Sequence, residues 1–113
     1  MQYAILIITT ESGQQVKAGE VEAWYQEIMA WYEKRGAAGE VVAGAGAELQ
    51  GTDTARTVRS TGVTDGPFIE AKEVIGGFSV LEAESMDEAV EIAKTWPGVD
   101  RGWITIEVRP VVS

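Results

Sequence analysis

The chain has 113 residues, 45% of them hydrophobic and 24% charged, with 18 acidic against 9 basic side chains for a net charge of -9. That is the length and composition of one ordinary soluble domain, and its negative surface repels phosphate backbones and anionic lipid, which argues against nucleic-acid and membrane partners. With no Cys and no His, disulfides, thiol chemistry and sulfur-ligated metals are excluded, and the commonest general base and metal ligand are missing.

Tyr3-Ala4-Ile5-Leu6-Ile7-Ile8 is short, apolar and rich in β-branched residues, which predicts a central strand with both faces covered. It is too short to span a membrane, and no basic region precedes it, so the expectation is a soluble cytoplasmic protein. Glu11 to Ala18 reads as a loop.

From Gly19 the period changes. Val21, Trp24, Ile28 and Trp31 recur at spacings of three and four, with Tyr25 and Tyr32 widening the stripe, as an amphipathic helix requires. Glu20 and Glu22 at its start, and Lys34 and Arg35 at its end, complement the helix dipole. Gly36 is the expected terminator in the left-handed conformation. The aromatic stripe reads as core.

Glu40 to Ala43 predicts a short strand. Gly44-Ala45-Gly46-Ala47 follows, small enough for close backbone approach; Leu49, and the lack of a helix pattern after it, rule out a nucleotide-binding loop. Ala55 to Arg59 alternates as a strand, and Ser60-Thr61-Gly62 turns it into Val63-Thr64, a hairpin.

Next comes the stretch that gathers the most ionisable residues, Thr64-Asp65-Gly66-Pro67-Phe68-Ile69-Glu70-Ala71-Lys72-Glu73. Asp65-Gly66-Pro67 is turn chemistry: Asp bonds the backbone ahead, Gly accepts positive φ, and Pro fixes its own φ. Phe68 is expected to pin the turn to the core. Glu70 and Lys72 would share one face of a charged strand, with Glu73 on the other face or in a turn at Gly76-Gly77.

Phe78 to Ala83 is a further strand, Phe78 and Val80 pointing one way and Ser79, Leu81 and Ala83 the other. Ser85-Met86-Asp87-Glu88 forms a capping box for a second helix, with Met86, Ala89, Val90 and Ala93 as its buried stripe. Trp96-Pro97-Gly98 stops it. Trp103 to Arg109 closes the sheet, with Ile104, Ile106 and Val108 inward.

The order strand, helix, strand, hairpin, strand, helix, strand predicts an α+β domain over residues 1–113. It is a ferredoxin-like βαββαβ unit with an inserted hairpin and both helices on one sheet face. The other face would be left apolar and uncovered, so a homodimer packing sheet to sheet is expected.

Thr64-Asp65-Gly66-Pro67-Phe68, Glu70, Lys72-Glu73 and Gly76-Gly77 closely resemble the DGPF-type branch of the YCII-related (YciI-like) family. Met1-Gln2-Tyr3, Thr57-Val58-Arg59, Asp87-Glu88-Ala89, Trp96-Pro97-Gly98 and Ile106 to Pro110 extend the resemblance along nearly the whole chain. It implies a dimeric α+β barrel with a cleft near the motif, in a family mostly without assigned function. Some members are joined to, or encoded beside, sigma factors, for which this chain has no room. The wider superfamily includes lactone isomerases, dehalogenase-like enzymes and monooxygenases. Three departures stand out: the turn of the hairpin is short, Ala71 stands where the branch often has Thr, and the His–Asp pair ascribed to some relatives cannot form without His.

Acid–base chemistry in this chain would fall to carboxylates, Lys, Tyr or Arg. The candidate catalytic residues are Asp65 and Glu73, and the candidate ligand-binding residues are Arg59, Glu70 and Lys72, the Arg59 fork suiting a carboxylate. No metal site and no cofactor are expected. Two functions follow: a metabolite-binding or accessory, regulatory dimer, or a cofactor-independent lyase or isomerase acting on a small molecule, anionic ones included.

Overall fold

Tyr3, Ile5 and Ile7 alternate inward along strand β1 (Gln2–Thr9) and are buried, Ile5 completely. That is period-two patterning over a helix-covered sheet. In the computed structural model, which describes residues 1–69 and 71–113, β1 is an inner strand. It pairs antiparallel with β5 (Val74–Glu82) on one side and β6 (Ile104–Pro110) on the other. The two-residue β2 (Ala47–Glu48) completes the order β2-β5-β1-β6. Helices α2 (Ala18–Ala37) and α3 (Met86–Lys94) pack on the face of Tyr3, Ile5, Ile7 and Leu81. The succession β1-α2-β2-β5-α3-β6 is therefore βαββαβ, and the antiparallel order is ferredoxin-like, as expected.

The inserted hairpin is β3 (Arg56–Arg59) with β4 (Gly62–Asp65), a separate two-stranded sheet between β2 and β5. Cross-strand partners Val58 and Val63 are both exposed. The hairpin is tied at its base, where Gly66 N–H donates to Ala55 O at 2.8 Å and Thr57 Oγ1 donates to Gly66 O at 2.8 Å.

α2 docks on α3 and the turn after it through the polar tips of aromatic side chains. Trp24 Nε1 donates to Pro97 O at 2.9 Å, Trp31 Nε1 to Thr95 Oγ1 at 2.8 Å, and Trp96 Nε1 to Tyr32 Oη at 3.3 Å. Each ring buries apolar area while its one polar atom is bonded, which is how a Trp enters a core at low cost. Arg35 Nη1 donates to both oxygens of Glu40, at 2.9 and 3.2 Å, and Nη2 donates to Thr95 Oγ1 at 3.2 Å.

Several local expectations need correction. Glu11–Gln14 is a helical turn (α1), not a loop, because Thr10 Oγ1 accepts the N–H of Gly13 and caps it. α2 passes through Gly36 to Ala37, and Gly39, at φ 75°, is the left-handed residue beyond it. Val21 and Tyr25 are exposed, so the core stripe of α2 is narrower than its apolar spacing suggests. Glu40 to Ala43 forms only an isolated bridge, Val41 with Leu81. β5 begins at Val74, so Lys72 and Glu73 precede it and Gly76-Gly77 lie inside it. Phe68 is 71% exposed and does not reach the core; its ring lies under the Arg59 guanidinium instead. In α3 it is Ala89, Ile92 and Ala93 that are buried, with Met86 and Val90 half-buried.

The Ser85 half of the capping box forms, and the return bond falls one residue early. Ser85 Oγ accepts Glu88 N–H at 3.2 Å, while the Glu88 carboxylate accepts the N–H of Glu84, one residue before the cap. Gly46 confirms the close approach: a Cβ there would lie 2.4 Å from Phe78 O.

Candidate functional site

The ionisable stretch lies at the hairpin end of the molecule. Asp65 closes β4 and pairs with Arg56 at 2.7 Å, both widely exposed. Arg59 lies over the Phe68 ring, 5.5 Å from its centre, and donates to Thr64 Oγ1 at 3.3 Å and Phe68 O at 3.5 Å. Gln14 Nε2 donates to Lys72 O at 2.5 Å, joining the segment before β5 to α1. Glu73 is exposed beside Lys72. Glu70 lies outside the described residues. Among the described residues, no side-chain hydrogen bond or ion pair joins any two of Arg59, Asp65, Lys72 and Glu73.

A cavity of about 770 Å³ lies elsewhere, between α2 and the β2–β5 edge of the sheet. Besides the two-residue β2, that edge is met by Glu40 O, which accepts from Glu82 N–H, and by the N–H groups of Val42 and Leu49, which donate to Val80 O and Gly76 O. The irregular segment from Val41 to Leu49 supplies one wall, and Trp24, Tyr25, Ile28, Met29 and Tyr32 of α2 supply the other. Gly46 lets that segment lie directly on β5, since any side chain would strike Phe78 O or Ser79 Cα. Tyr25, Met29 and Glu48 are among the exposed residues of the lining, on the side open to solvent. Arg59, Asp65, Lys72 and Glu73 do not line it.

Inside, the walls are mainly apolar; Thr9 and Tyr25 contribute hydroxyl residues to the lining, and one further group is linked by hydrogen bonds. Tyr32 Oη and Ser79 Oγ are 2.6 Å apart, and Trp96 Nε1–H donates to Tyr32 Oη. Ser79 is 5% exposed and faces inward on β5 between Gly77 and Leu81, both buried. Trp31 and Trp96 hold the phenol ring, with centroids 4.9 and 6.4 Å from that of Tyr32. Glu48 is the one charged residue among those that line the cavity. A mainly apolar pocket of this size with a few convergent polar groups is the usual form of a small-molecule site.

Sequence reasoning placed Tyr32 in the core stripe and Ser79 on the strand face it shares with Leu81 and Ala83, and assigned neither a site. The available signal was a lone hydroxyl on the inward side of an otherwise apolar strand. Among the described residues, no group of three or more Asp or Glu is placed to hold a metal ion, and no helix is long and apolar enough to cross a membrane.

A four-stranded antiparallel sheet with both long helices on one face, and a mainly apolar pocket under the first of them, defines a ferredoxin-like α+β domain. The family model for the YCII-related domain matches residues 1–113, and the chain belongs to that family. An uncharacterized protein of Rhizobium meliloti (strain 1021) is 34% identical over 116 residues, covering 98% of this chain and 92% of that protein. Among solved structures, the fold is similar to 5-chloro-2-hydroxyhydroquinone dehydrochlorinase from Burkholderia phenoliruptrix, in complex with 2,5-dihydroxybenzoquinone. That match has a TM-score of 0.57 and 19% identity, over 99% of this chain and 94% of the other.

Proposed function

We propose that this protein binds a small, planar, mainly apolar molecule in the cavity under α2. The observation that carries the reading is the pairing of a mainly apolar space of about 770 Å³ with a linked pair of hydroxyls, Tyr32 and Ser79, at its inner wall. Apolar walls supply affinity by burying ligand surface, and one fixed polar group supplies orientation. The test is binding of small aromatic compounds followed by the indole N–H resonances of Trp24 and Trp96, both in the lining. Saturable shifts at these two, lost in the cavity-filling variant Ile28→Trp, support the reading. Shifts that persist in the folded variant, or no shifts in the parent protein, overturn it.

A second reading is a cofactor-independent lyase or isomerase. What favours it is the hydroxyl group at the inner wall, which can act as a neutral acid toward a bound oxygen. The dehydrochlorinase likeness supports a fold able to host such chemistry, not a correspondence of residues. Recovery of the bound compound unchanged after long incubation separates binding from turnover.

The same proposal includes a homodimer. Ala4, Leu6, Ile8, Ile75, Phe78 and Val80 alternate away from the helix face, and Ile75 and Phe78 are exposed. An apolar sheet face of this kind is stabilised by covering, and a second copy offers a surface that matches it.

A further inference from the structure

Counting hydrogens at the inner wall of the cavity narrows the ligand, given the binding reading above. The indole N–H of Trp96 can only donate, so Tyr32 Oη is its acceptor. Tyr32 and Ser79 then hold two hydroxyl hydrogens and share one hydrogen bond, at 2.6 Å. Among the described residues, neither hydroxyl has a further hydrogen-bond partner beyond these. One O–H is therefore unspent whichever of the two donates to the other. Both residues line the cavity, and Ser79 is almost wholly buried.

The Trp96 bond sharpens this donor. Accepting from Trp96 makes the Tyr32 hydroxyl a better donor, toward Ser79 or toward a ligand, and where Tyr32 donates to Ser79 the Ser79 hydroxyl gains in the same way. An unused lone pair in an apolar site is tolerated more easily than an unused O–H. The lining also bears on charge. It holds no Lys or Arg, and its one charged residue is the exposed Glu48. A carboxylate ligand would lose its hydration without gaining a cation, which is costly in an apolar space.

We propose that the cavity selects a neutral ligand with a hydrogen-bond acceptor oxygen, of the ketone, quinone or ester carbonyl class, held by the Trp96–Tyr32–Ser79 chain. Hydrocarbons of the same shape bind less well, and anionic analogues least.

The test uses three matched probes on the full chain: acetophenone, α-methylstyrene and benzoate. α-Methylstyrene keeps the planar shape of acetophenone with CH2 in place of the carbonyl oxygen, and benzoate replaces the methyl ketone with an anion. Affinities come from titrations followed at the Trp24 and Trp96 indole N–H resonances. A single neutral hydrogen bond predicts acetophenone binding roughly fivefold tighter than α-methylstyrene, with benzoate weakest. In the double variant Tyr32→Phe, Ser79→Ala, checked for folding by its amide spectrum, that preference should vanish while α-methylstyrene affinity stays. Equal binding of ketone and alkene by the parent protein overturns the carbonyl inference and leaves the binding reading intact. Tighter binding of benzoate also overturns it. Binding of none of the three overturns both. The parent titrations decide the matter even where the double variant does not fold.

Discussion

The indole N–H of Trp24 donates to the carbonyl of Pro97 at 2.9 Å, tying the middle of α2 to the turn that ends α3. Trp24 also stacks edge-on against Trp103, with ring centroids 5.0 Å apart, just before β6. One side chain thus joins a helix, a helix-terminating turn and the approach to the edge strand, and it lines the cavity as well. Trp24→Phe leaves the Pro97 carbonyl without its donor and a gap beside Trp103. It should cost about 1–3 kcal/mol, measured by urea unfolding.

Gly36 and Gly39 should respond in opposite directions. Gly36 is helical and a Cβ there meets nothing within 4 Å, whereas Gly39 holds φ 75°. Gly36→Ala should stabilise by about 0.5–1 kcal/mol through helix propensity, and Gly39→Ala should destabilise by about 1 kcal/mol through the left-handed backbone. Thermal melts of the two variants check the assignment. Matching signs would place the end of α2 elsewhere.

Gly46→Ala forces a methyl group against Phe78 O and Ser79 Cα, at 2.4 and 2.9 Å. Both obstacles are backbone, so the segment must lift from β5 at a cost of about 1–3 kcal/mol. Because that segment walls the cavity beside Ser79, ligand affinity should fall together with stability. Wild-type affinity in a folded variant would show that this wall takes no part in binding.

The two ion pairs of Arg35 with Glu40 and Arg56 with Asp65 have similar distances, 2.9 and 2.7 Å, but different settings. Arg35 and Glu40 are about three-quarters covered; Asp65 is 90% exposed. Asp65→Ala should cost less than about 1 kcal/mol, while Glu40→Gln, which leaves a covered guanidinium short of its counter-charge, should cost about 1–3 kcal/mol. Neither should alter cavity binding. Lost binding in folded Asp65→Ala would return the hairpin stretch to the site.

The proposed homodimer predicts a light-scattering mass near twice the 12.2 kDa of the chain at micromolar concentration. Phe78→Glu, on the exposed sheet face and opposite Leu6 in the register, should give the single-chain mass with the amide spectrum of a folded domain. A single-chain mass for the unmutated protein would remove the dimer.

Much of the fold was legible in the chain because its signals are local. Alternation in Tyr3 to Ile8, the three-and-four spacing of Trp24, Ile28 and Trp31, and the Ser85–Glu88 box each act within one or two turns of backbone. Their order is enough to name a βαββαβ unit. Where local signals compete, the reading slipped: Gly36 has the composition of a terminator, but Gly39 performs that role, and Thr10 caps a helical turn that its sequence disguises as a loop.

The site followed a different rule. Arg59, Asp65, Lys72 and Glu73 stand out in the sequence because charges cluster there, yet they lie on or beside a hairpin that forms its own two-stranded sheet, separate from the four-stranded one. Glu70 belongs to the same stretch and lies outside the described residues. Tyr32 and Ser79 are 47 residues apart and meet at 2.6 Å because the β5–β1 pairing and the docking of α2 bring them together. Residue type and spacing determined by themselves the long elements, their order and the family, but not α1 or the position of β2. Which hydroxyls face one another across an apolar space depends on non-local packing, and only the tertiary structure decided it.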